Sequence, residues 1–207
     1  EMGYPYYYYA WSDDGYKQWF GNIIFSKYPI VDSGKIYFPG AKYPETLLHA
    51  DIKIGNDTVR FYTTHLQSVQ FQKEDFEKIE KIKDRQEDVI RNSKGIFSKL
   101  RRGFSERSKQ ADLVKEVISN DPHAIVLTGD FNDVPNSYTY FTIRGKKLND
   151  AFLQRGFGVG RTYNEIAPTL RIDYIFTTKD FEIRQFNRVV KDFSDHYLLV
   201  SDIQLKK

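Results

Sequence analysis

The stretch Ile125-Val126-Leu127-Thr128-Gly129-Asp130-Phe131-Asn132-Asp133 decides the fold prediction for this chain. Its first four residues are apolar or β-branched, which predicts a short buried strand. Gly129 then permits backbone angles that larger residues avoid, and polar side chains follow at Asp130, Asn132 and Asp133. Ordinary turn chemistry explains this pattern equally well. Carboxylate and amide groups at a strand end also suit metal ligation or acid–base catalysis.

The spacing of the polar residues carries its own prediction. Extended backbone beyond Gly129 would place the side chains of Asp130 and Asn132 on one face, because side chains alternate along a strand. Phe131 would then point to the opposite face and anchor the following loop in the core.

The composition is typical of a globular domain. The chain has 207 residues, of which 40% are hydrophobic and 29% charged, and we assign residues 1–207 to one domain. The formal net charge of +3 permits an anionic substrate without requiring a nucleic acid. Because the chain contains no cysteine, disulfides, thiolate metal sites and cysteine nucleophiles are excluded.

Alternating apolar residues predict several strands. Residues 46–54 alternate, with Leu48, Ala50, Ile52 and Ile54 on one face. Residues 59–66 form the returning strand of a β-hairpin. Further strand patterns occur at residues 21–27, 171–177, 181–190 and 197–205. Strands outnumber helices, and the helical patterns cluster in mid-chain. This order favours an α+β or mixed α/β fold with sheet packed on sheet over a doubly wound parallel sheet.

Two helices are predicted in the middle of the chain. Residues 71–91 are mostly charged and carry apolar residues at helical spacing, which indicates one apolar stripe. Residues 108–118 form the second helical pattern. The basic stretch from Lys94 to Lys109 contains two glycines, so we expect at least one break in the helix there.

Polar side chains occur at the ends of four predicted strands. Asp173 lies in an apolar strand, where a carboxylate without a partner is costly. A histidine is a natural partner, because an Asp–His pair fixes the ring tautomer and stabilises the imidazolium. The polar residues at these strand ends are His65, Asp130, Asn132, Asp173, Asp195 and His196.

The remaining histidines receive no catalytic role. We interpret His49, inside a strand of the hairpin, as structural and His123, in a loop, as solvated. No serine stands out as a nucleophile. Oxygen ligands in a chain without cysteine suit Mg²⁺ or Mn²⁺ better than Zn²⁺. This chemistry predicts metal-assisted attack of water on a phosphate ester.

Four motifs occur in order along the chain: Thr64-His65-Leu66, Gly129-Asp130-Phe131-Asn132, Arg171-Ile172-Asp173-Tyr174-Ile175-Phe176 and Ser194-Asp195-His196. Together they resemble the endonuclease/exonuclease/phosphatase superfamily, the deoxyribonuclease-like metal-dependent phosphoesterases. The resemblance covers almost the whole chain. It is greatest to members common in Bacteroidetes-type bacteria, through Asn149-Asp150-Ala151-Phe152, Arg161-Thr162-Tyr163 and Tyr138-Thr139-Tyr140.

The resemblance implies a four-layer α/β/β/α sandwich of two packed mixed sheets, with the site at one edge of the sheets. It also implies a role for each polar residue. Asp130 would be the general base, with Asn132 beside it orienting the water and binding the phosphate side. His196 would contact the scissile phosphate and be oriented by Asp173. His65 would stabilise or protonate the leaving-group side of the phosphate.

The cofactor implied by the resemblance is Mg²⁺ or Mn²⁺. The implied ligands are Asp130, Asn132, Asp195 and His196. Arg107 would reach toward the substrate, although a solvated or helix-capping arginine fits the sequence equally well.

The first motifs of the family have no counterpart in this sequence. They supply an asparagine and the chief metal-binding glutamate, which would precede the aromatic run at residues 6–9. We therefore expect this chain to lack the first strands of the domain, to bind catalytic Mg²⁺ weakly and to be poorly active.

A catalytically silent protein is the alternative interpretation. It would bind nucleic acid or an anionic lipid surface through the basic stretch from Lys94 to Lys109, which a solvated helix connection explains equally well. The substrate is left open, since family members cleave DNA, RNA, sphingolipids, phosphoinositides or nucleotides with nearly the same residues. We expect a monomer without a protein partner. The sequence fits a soluble segment of a membrane-anchored bacterial protein.

Overall fold

The computed structural model describes residues 3–13, 19–40, 45–83, 89–165 and 169–206. The strands in these ranges are β1 (Tyr6–Asp13), β2 (Trp19–Ser26), β3 (Ile30–Tyr37), β4 (Thr46–Ile54), β5 (Asp57–His65), β6 (Ala124–Asp130), β7 (Leu148–Asp150), β8 (Asp173–Thr178), β9 (Phe181–Val189) and β10 (Leu198–Leu205). The helices are α1 (Lys73–Lys83), α2 (Val89–Asn120), α3 (Tyr138–Arg144) and α4 (Ala151–Arg155).

A mixed six-stranded sheet forms the centre of the molecule. Its strand order is β3-β4-β5-β6-β8-β7. The pair β4–β5 is antiparallel, which confirms the predicted hairpin. The pair β5–β6 is parallel, and the chain between these two strands contains α1 and α2. A crossover of this kind is what parallel neighbours require.

Helices cover one face of this sheet. Ala111, Val114 and Ile118 of α2 are buried with Tyr62 and Leu127 of the sheet in one apolar cluster. These helical positions recur at three- and four-residue spacing, so they lie on one face of α2. The helix predicted for residues 108–118 is therefore confirmed.

The predicted helix break is wrong, because α2 runs without interruption from Val89 to Asn120. Gly103 is buried in this helix, and a Cβ there would lie 3.0 Å from Arg107 Nη1. The glycine therefore makes room for a neighbouring side chain. A glycine inside a helix costs only about 1 kcal/mol, and burial of the apolar face of α2 outweighs that cost.

The antiparallel pair β9–β10 covers the opposite face of the sheet. Phe181 of β9 packs with Val59 and Val126, while Ile183 and Phe186 pack with Phe152 of α4. Strand β4 is buried on both of its faces rather than on one. The α+β sandwich predicted from the sequence is confirmed. No helix in the described ranges is long and apolar enough to cross a membrane.

Both histidines without a catalytic role have partners. His49 is half-buried, as a structural residue would be, and its ring centroid lies 5.9 Å from that of Tyr62. His123 is not simply solvated, because its Nδ1 lies 2.7 Å from Asp121 Oδ1. Asp121 also accepts a hydrogen bond from the Tyr62 hydroxyl at 2.6 Å. The loop before β6 is thus fixed by a polar cluster.

Candidate active site

Strand register places three of the predicted residues side by side. In the parallel pair β5–β6, His65 lies opposite Asp130. In the antiparallel pair β6–β8, Asp130 lies opposite Asp173. The three residues therefore occupy adjacent strands at one edge of the sheet, where the family resemblance implies the site.

A glycine permits the close approach of these strands. Gly129 has φ 153°, and a Cβ at this position would lie 2.0 Å from the carbonyl oxygen of Thr64. Two residues later, Phe131 is fully buried, and its ring packs against Tyr174 and Phe176 at centroid distances of 4.8 and 5.5 Å. The predicted anchoring role of Phe131 is confirmed.

The backbone after Asp130 turns instead of remaining extended. Asn132 has φ 51°, a left-handed conformation that asparagine tolerates. Its backbone N–H donates to Asp130 Oδ1 at 2.7 Å, and its Nδ2 donates to Asp130 Oδ2 at 3.2 Å. The extended-strand argument for a shared face is therefore wrong. The two side chains are brought together by an Asx turn.

His196 pairs with Asp173, as predicted. The His196 Nδ1 lies 2.9 Å from Asp173 Oδ2, and its Nε2 lies 3.9 Å from Asp130 Oδ2. The ring also packs against Tyr163 at a centroid distance of 4.8 Å, and these two residues form a β-bridge. The hydrogen bond that His196 donates to Asp173 raises the pKa of His196 above its ordinary value of 6.5. This site therefore favours the imidazolium form.

His65 has the opposite electrostatic environment. Its Nε2 lies 3.7 Å from Asp130 Oδ2 and 3.1 Å from Asn132 Nδ2. Desolvation, followed by repulsion from His196, lowers the pKa of His65 below 6.5. Asn132 Nδ2 can only donate, so a hydrogen bond between these two atoms requires His65 Nε2 to accept and the ring proton to lie on Nδ1.

Burial and a like charge act together on Asp130. Desolvation raises its pKa from 3.8 to about 7, and the neighbouring Asp173 carboxylate adds to this increase. The Asn132 backbone N–H and the positive charges of His196 and Arg107 oppose it. A carboxyl group that resists ionisation in this way is typical of functional sites.

Three side chains could hold a metal ion together. Among the described His, Asp and Glu residues, the ligand atoms of Asp130, Asp173 and His196 lie within 4.8 Å of one another. A divalent cation fits this group, because it would offset the repulsion between the two carboxylates. The exposed Asp195 lies outside the group, and its Oδ1 accepts from Ser194 Oγ at 3.0 Å. Metal ligation by Asp195 and Asn132 stays a prediction.

Arg107 is neither solvated nor a helix cap. Its side chain is 1% exposed, its Nε donates to Asp133 Oδ2 at 3.2 Å and its Nη1 donates to the carbonyl of Gln67 at 2.9 Å. Asp133 also accepts from Thr139 Oγ1 at 2.8 Å. The sequence placed Asp133 in the motif without a role, and the structure makes it the partner of Arg107.

A cavity of about 600 Å³ opens at these residues. The polar part of its lining includes His65, Asp130, Asn132, Arg107, Asp195 and His196, so it collects most of the predicted site residues. The helices α1 and α2 supply a second, apolar part that sequence reasoning did not find. The apolar stripe predicted for residues 71–91 is the sequence feature that corresponds to this apolar part, and such a stripe is equally typical of a helix packed on a core.

The basic stretch from Lys94 to Lys109 is not a uniform basic surface. All of it lies in α2, where Arg107 is buried and Lys99 forms an ion pair with Asp75. Lys109 pairs with Glu106 at 3.0 Å. Surface binding through this stretch would therefore depend mainly on the exposed side chains of Lys94, Arg101 and Arg102. Such binding stays a prediction.

Comparison with known proteins assigns the chain to a family. Residues 1–196 match the Endonuclease/Exonuclease/phosphatase family. The chain belongs to this family. The resemblance inferred from the four motifs is therefore confirmed. A search of curated protein sequences found no match.

Solved structures share the fold of this family member. The mannosyl-6-phosphatase of Bacteroides thetaiotaomicron aligns with TM-score 0.63 at 18% identity, over 97% of this chain and 78% of that one. D. rerio TDP2, complexed with a single-strand DNA product, aligns with TM-score 0.67 at 20% identity, over 98% of this chain and 77% of that one. The human Nocturnin catalytic domain, with a bound sulfate, aligns with TM-score 0.63 at 14% identity, over 97% of this chain and 73% of that one.

The two site histidines should titrate in a defined order in the metal-free protein. We expect His196 to titrate above 6.5 and His65 below it, in agreement with the directions of their pKa shifts. The measurement is an NMR pH titration of the imidazole resonances. Asp173→Asn should lower the pKa of His196 and leave the His49 resonance unchanged. A His65 that titrates above His196 would contradict this electrostatic assignment.

Proposed function

We propose that this family member hydrolyses phosphoester bonds with the help of Mg²⁺ or Mn²⁺. The observation that carries the proposal is the group of Asp130, Asp173 and His196, whose ligand atoms lie within 4.8 Å of one another beside the cavity. The family assignment supports phosphoester chemistry. The mannosyl-6-phosphatase and the TDP2–DNA complex show that relatives of this fold handle phosphate compounds of different kinds.

The carboxylates of Asp130 and Asp173 would hold the metal ion beside His196. Carboxylate oxygens, in a chain without cysteine, suit Mg²⁺ or Mn²⁺. When bound, the ion supplies polarisation of a phosphoryl oxygen and stabilises the charge that develops there.

Asp130 is the proposed general base. Its Oδ1 accepts from the backbone N–H of Asn132, whereas its Oδ2 accepts from Asn132 Nδ2 at 3.2 Å and also faces His65 and His196 at 3.7 and 3.9 Å. Oδ2 is therefore the oxygen positioned to accept a proton from the attacking water. In the metal-free site its pKa is raised by burial and by Asp173, which makes this carboxylate a stronger base than an ordinary aspartate.

The histidines provide two different hydrogen-bond donors. The imidazolium of His196 uses Nδ1 for Asp173, so its Nε2–H is available to a non-bridging phosphate oxygen. Neutral His65 would donate from Nδ1 to the leaving-group side, since its Nε2 is held by Asn132. Arg107 lines the same cavity, and its charge acts on Asp130. We propose that it also attracts the anionic substrate.

The test is hydrolysis of bis(4-nitrophenyl) phosphate and 4-nitrophenyl phosphate. We expect turnover that EDTA removes and that Mg²⁺ or Mn²⁺ restores. His196→Gln should reduce turnover about a hundredfold, the scale of a lost general acid–base or phosphate contact. The matched control is His123→Gln, which changes a histidine in the polar cluster before β6. Equal turnover by the two variants would refute the proposed site.

A further inference from the structure

The cavity beside Asp130 combines two kinds of wall. Polar groups at the strand ends form one part of its lining, as described above. The other part is apolar and comes from α1, α2 and the chain between β5 and α1. Its members are Phe71, Phe76, Ile79, Ile96, Leu100 and Phe104. Among the described residues, the large apolar cluster that joins α2 to the sheet contains none of these side chains, and the proposed hydrolysis uses none of them.

The apolar wall is a defined surface, since α1 is fastened to α2. Asp75 of α1 is 5% exposed, and it accepts a hydrogen bond from Lys99 of α2 and another from the backbone N–H of Gln72 at 2.8 Å. The rings of Phe71 and Phe76 meet edge to face at a centroid distance of 5.9 Å. The ion pair and the ring contact hold this wall in place next to the site.

Several side chains of this wall are only partly covered. Phe71, Phe76, Ile79 and Leu100 are half-buried, and Phe104 is 49% exposed. Partly covered apolar groups that face a shared cavity gain from contact with an apolar ligand group. A sugar or a nucleobase edge would instead lose hydrogen bonds to water against this wall without replacing them.

We propose that the substrate is a phosphoester in which one esterified group is bulky and apolar, and that this group lies against the wall formed by α1 and α2. The inference rests on the proposed phosphoester hydrolysis and names the substrate class for that site. Such a group is an alkyl chain, as in a lipid phosphate, or an aromatic ring, as in an aryl phosphate. The phosphate would lie at the polar side chains, and the apolar group would occupy the remainder of the cavity of about 600 Å³.

The test measures binding, so that it does not depend on turnover. The probes are methylphosphonate, hexylphosphonate and benzylphosphonate, whose carbon–phosphorus bonds resist hydrolysis. Dissociation constants are measured by isothermal titration calorimetry in the presence of Mg²⁺. We expect hexylphosphonate or benzylphosphonate to bind at least about tenfold more tightly than methylphosphonate, since each buried methylene contributes about fourfold. Tighter binding of hexylphosphonate would identify the apolar group as an alkyl chain, and tighter binding of benzylphosphonate would identify it as an aromatic ring.

Matched variants connect this preference to the wall. Leu100→Asn on α2 and Ile79→Asn on α1 should each reduce the preference to about threefold or less, because each introduces a polar group where the apolar ligand group would lie. Phe97→Asn is the control, because Phe97 lies on α2 but is 72% exposed and does not line the cavity. It should leave the preference unchanged. Thermal melting of each variant checks that it is folded.

The outcomes separate this inference from the proposed function. Equal affinities for the three probes, or no binding by any of them, would overturn the inference. A preference that survives in both Leu100→Asn and Ile79→Asn would overturn the assignment to this wall. Failure of the proposed function has a different signature, namely absence of metal-dependent turnover of the nitrophenyl esters while the binding preference is retained.

Discussion

Asp130→Asn should reduce metal-dependent phosphoester hydrolysis about a thousandfold, since general-base catalysis is commonly worth that much. An asparagine has nearly the same shape but cannot accept the proton of the attacking water. The same substitution should stabilise the folded protein at neutral and alkaline pH. Both effects have one origin, which is the burial of the Asp130 carboxyl beside Asp173.

The sign of the stability effect follows from the pKa of Asp130. In the folded protein this pKa is raised from 3.8 to about 7, so between these values the folded state binds more protons than the unfolded state. Stability contributed by the protonated carboxyl is present at low pH and is lost as the pH rises toward 7. Above that value the wild type retains a buried charge beside a second carboxylate. Asp130→Asn removes this charge.

Melting curves at two pH values test this expectation. At about pH 8 the Asp130→Asn variant should melt several degrees above the wild type in metal-free buffer, since about 1 kcal/mol shifts the melting temperature of a chain of this size by about 2–4 °C. At about pH 4 the two proteins should melt together. The control is Asp57→Asn at an exposed position that begins β5. A variant that melts below the wild type at alkaline pH would contradict the assigned environment of Asp130.

Gly129→Ala should destabilise the fold by at least about 3 kcal/mol. The added Cβ would lie 2.0 Å from the carbonyl oxygen of Thr64, and the φ of 153° is one that residues with a side chain rarely adopt. Relief of this clash requires β5 and β6 to separate where His65 and Asp130 lie opposite each other. The substitution should therefore remove activity as well as stability.

Urea denaturation measures the stability loss, and Gly95→Ala provides the matched control. A Cβ at Gly95 of α2 would meet no atom within 4 Å. Because alanine favours helix over glycine, that variant should gain up to about 1 kcal/mol. A Gly129→Ala protein with the urea midpoint of the wild type would show that β5 and β6 do not approach each other as described.

The polar residues of the site could be inferred from local sequence patterns. His65, Asp130, Asp173 and His196 were selected because each stands at the end of an apolar strand pattern, where a polar side chain needs a partner. Local patterning also predicted the β4–β5 hairpin and the anchoring of Phe131. These features depend on residues near one another in the chain, so they can be inferred from sequence.

Interactions between distant segments have no local pattern and became visible only in the folded chain. The burial of Arg107 depends on Asp133 and Gln67, which lie on separate segments. The unbroken course of α2 depends on packing along its length, which exceeds the small cost of glycine in a helix. The apolar stripe on α1 has the same sequence periodicity whether the helix faces a core or a cavity. Phe76 and Ile79 lie at the cavity because of where α1 is fastened to α2, and that placement has no signature in the local sequence.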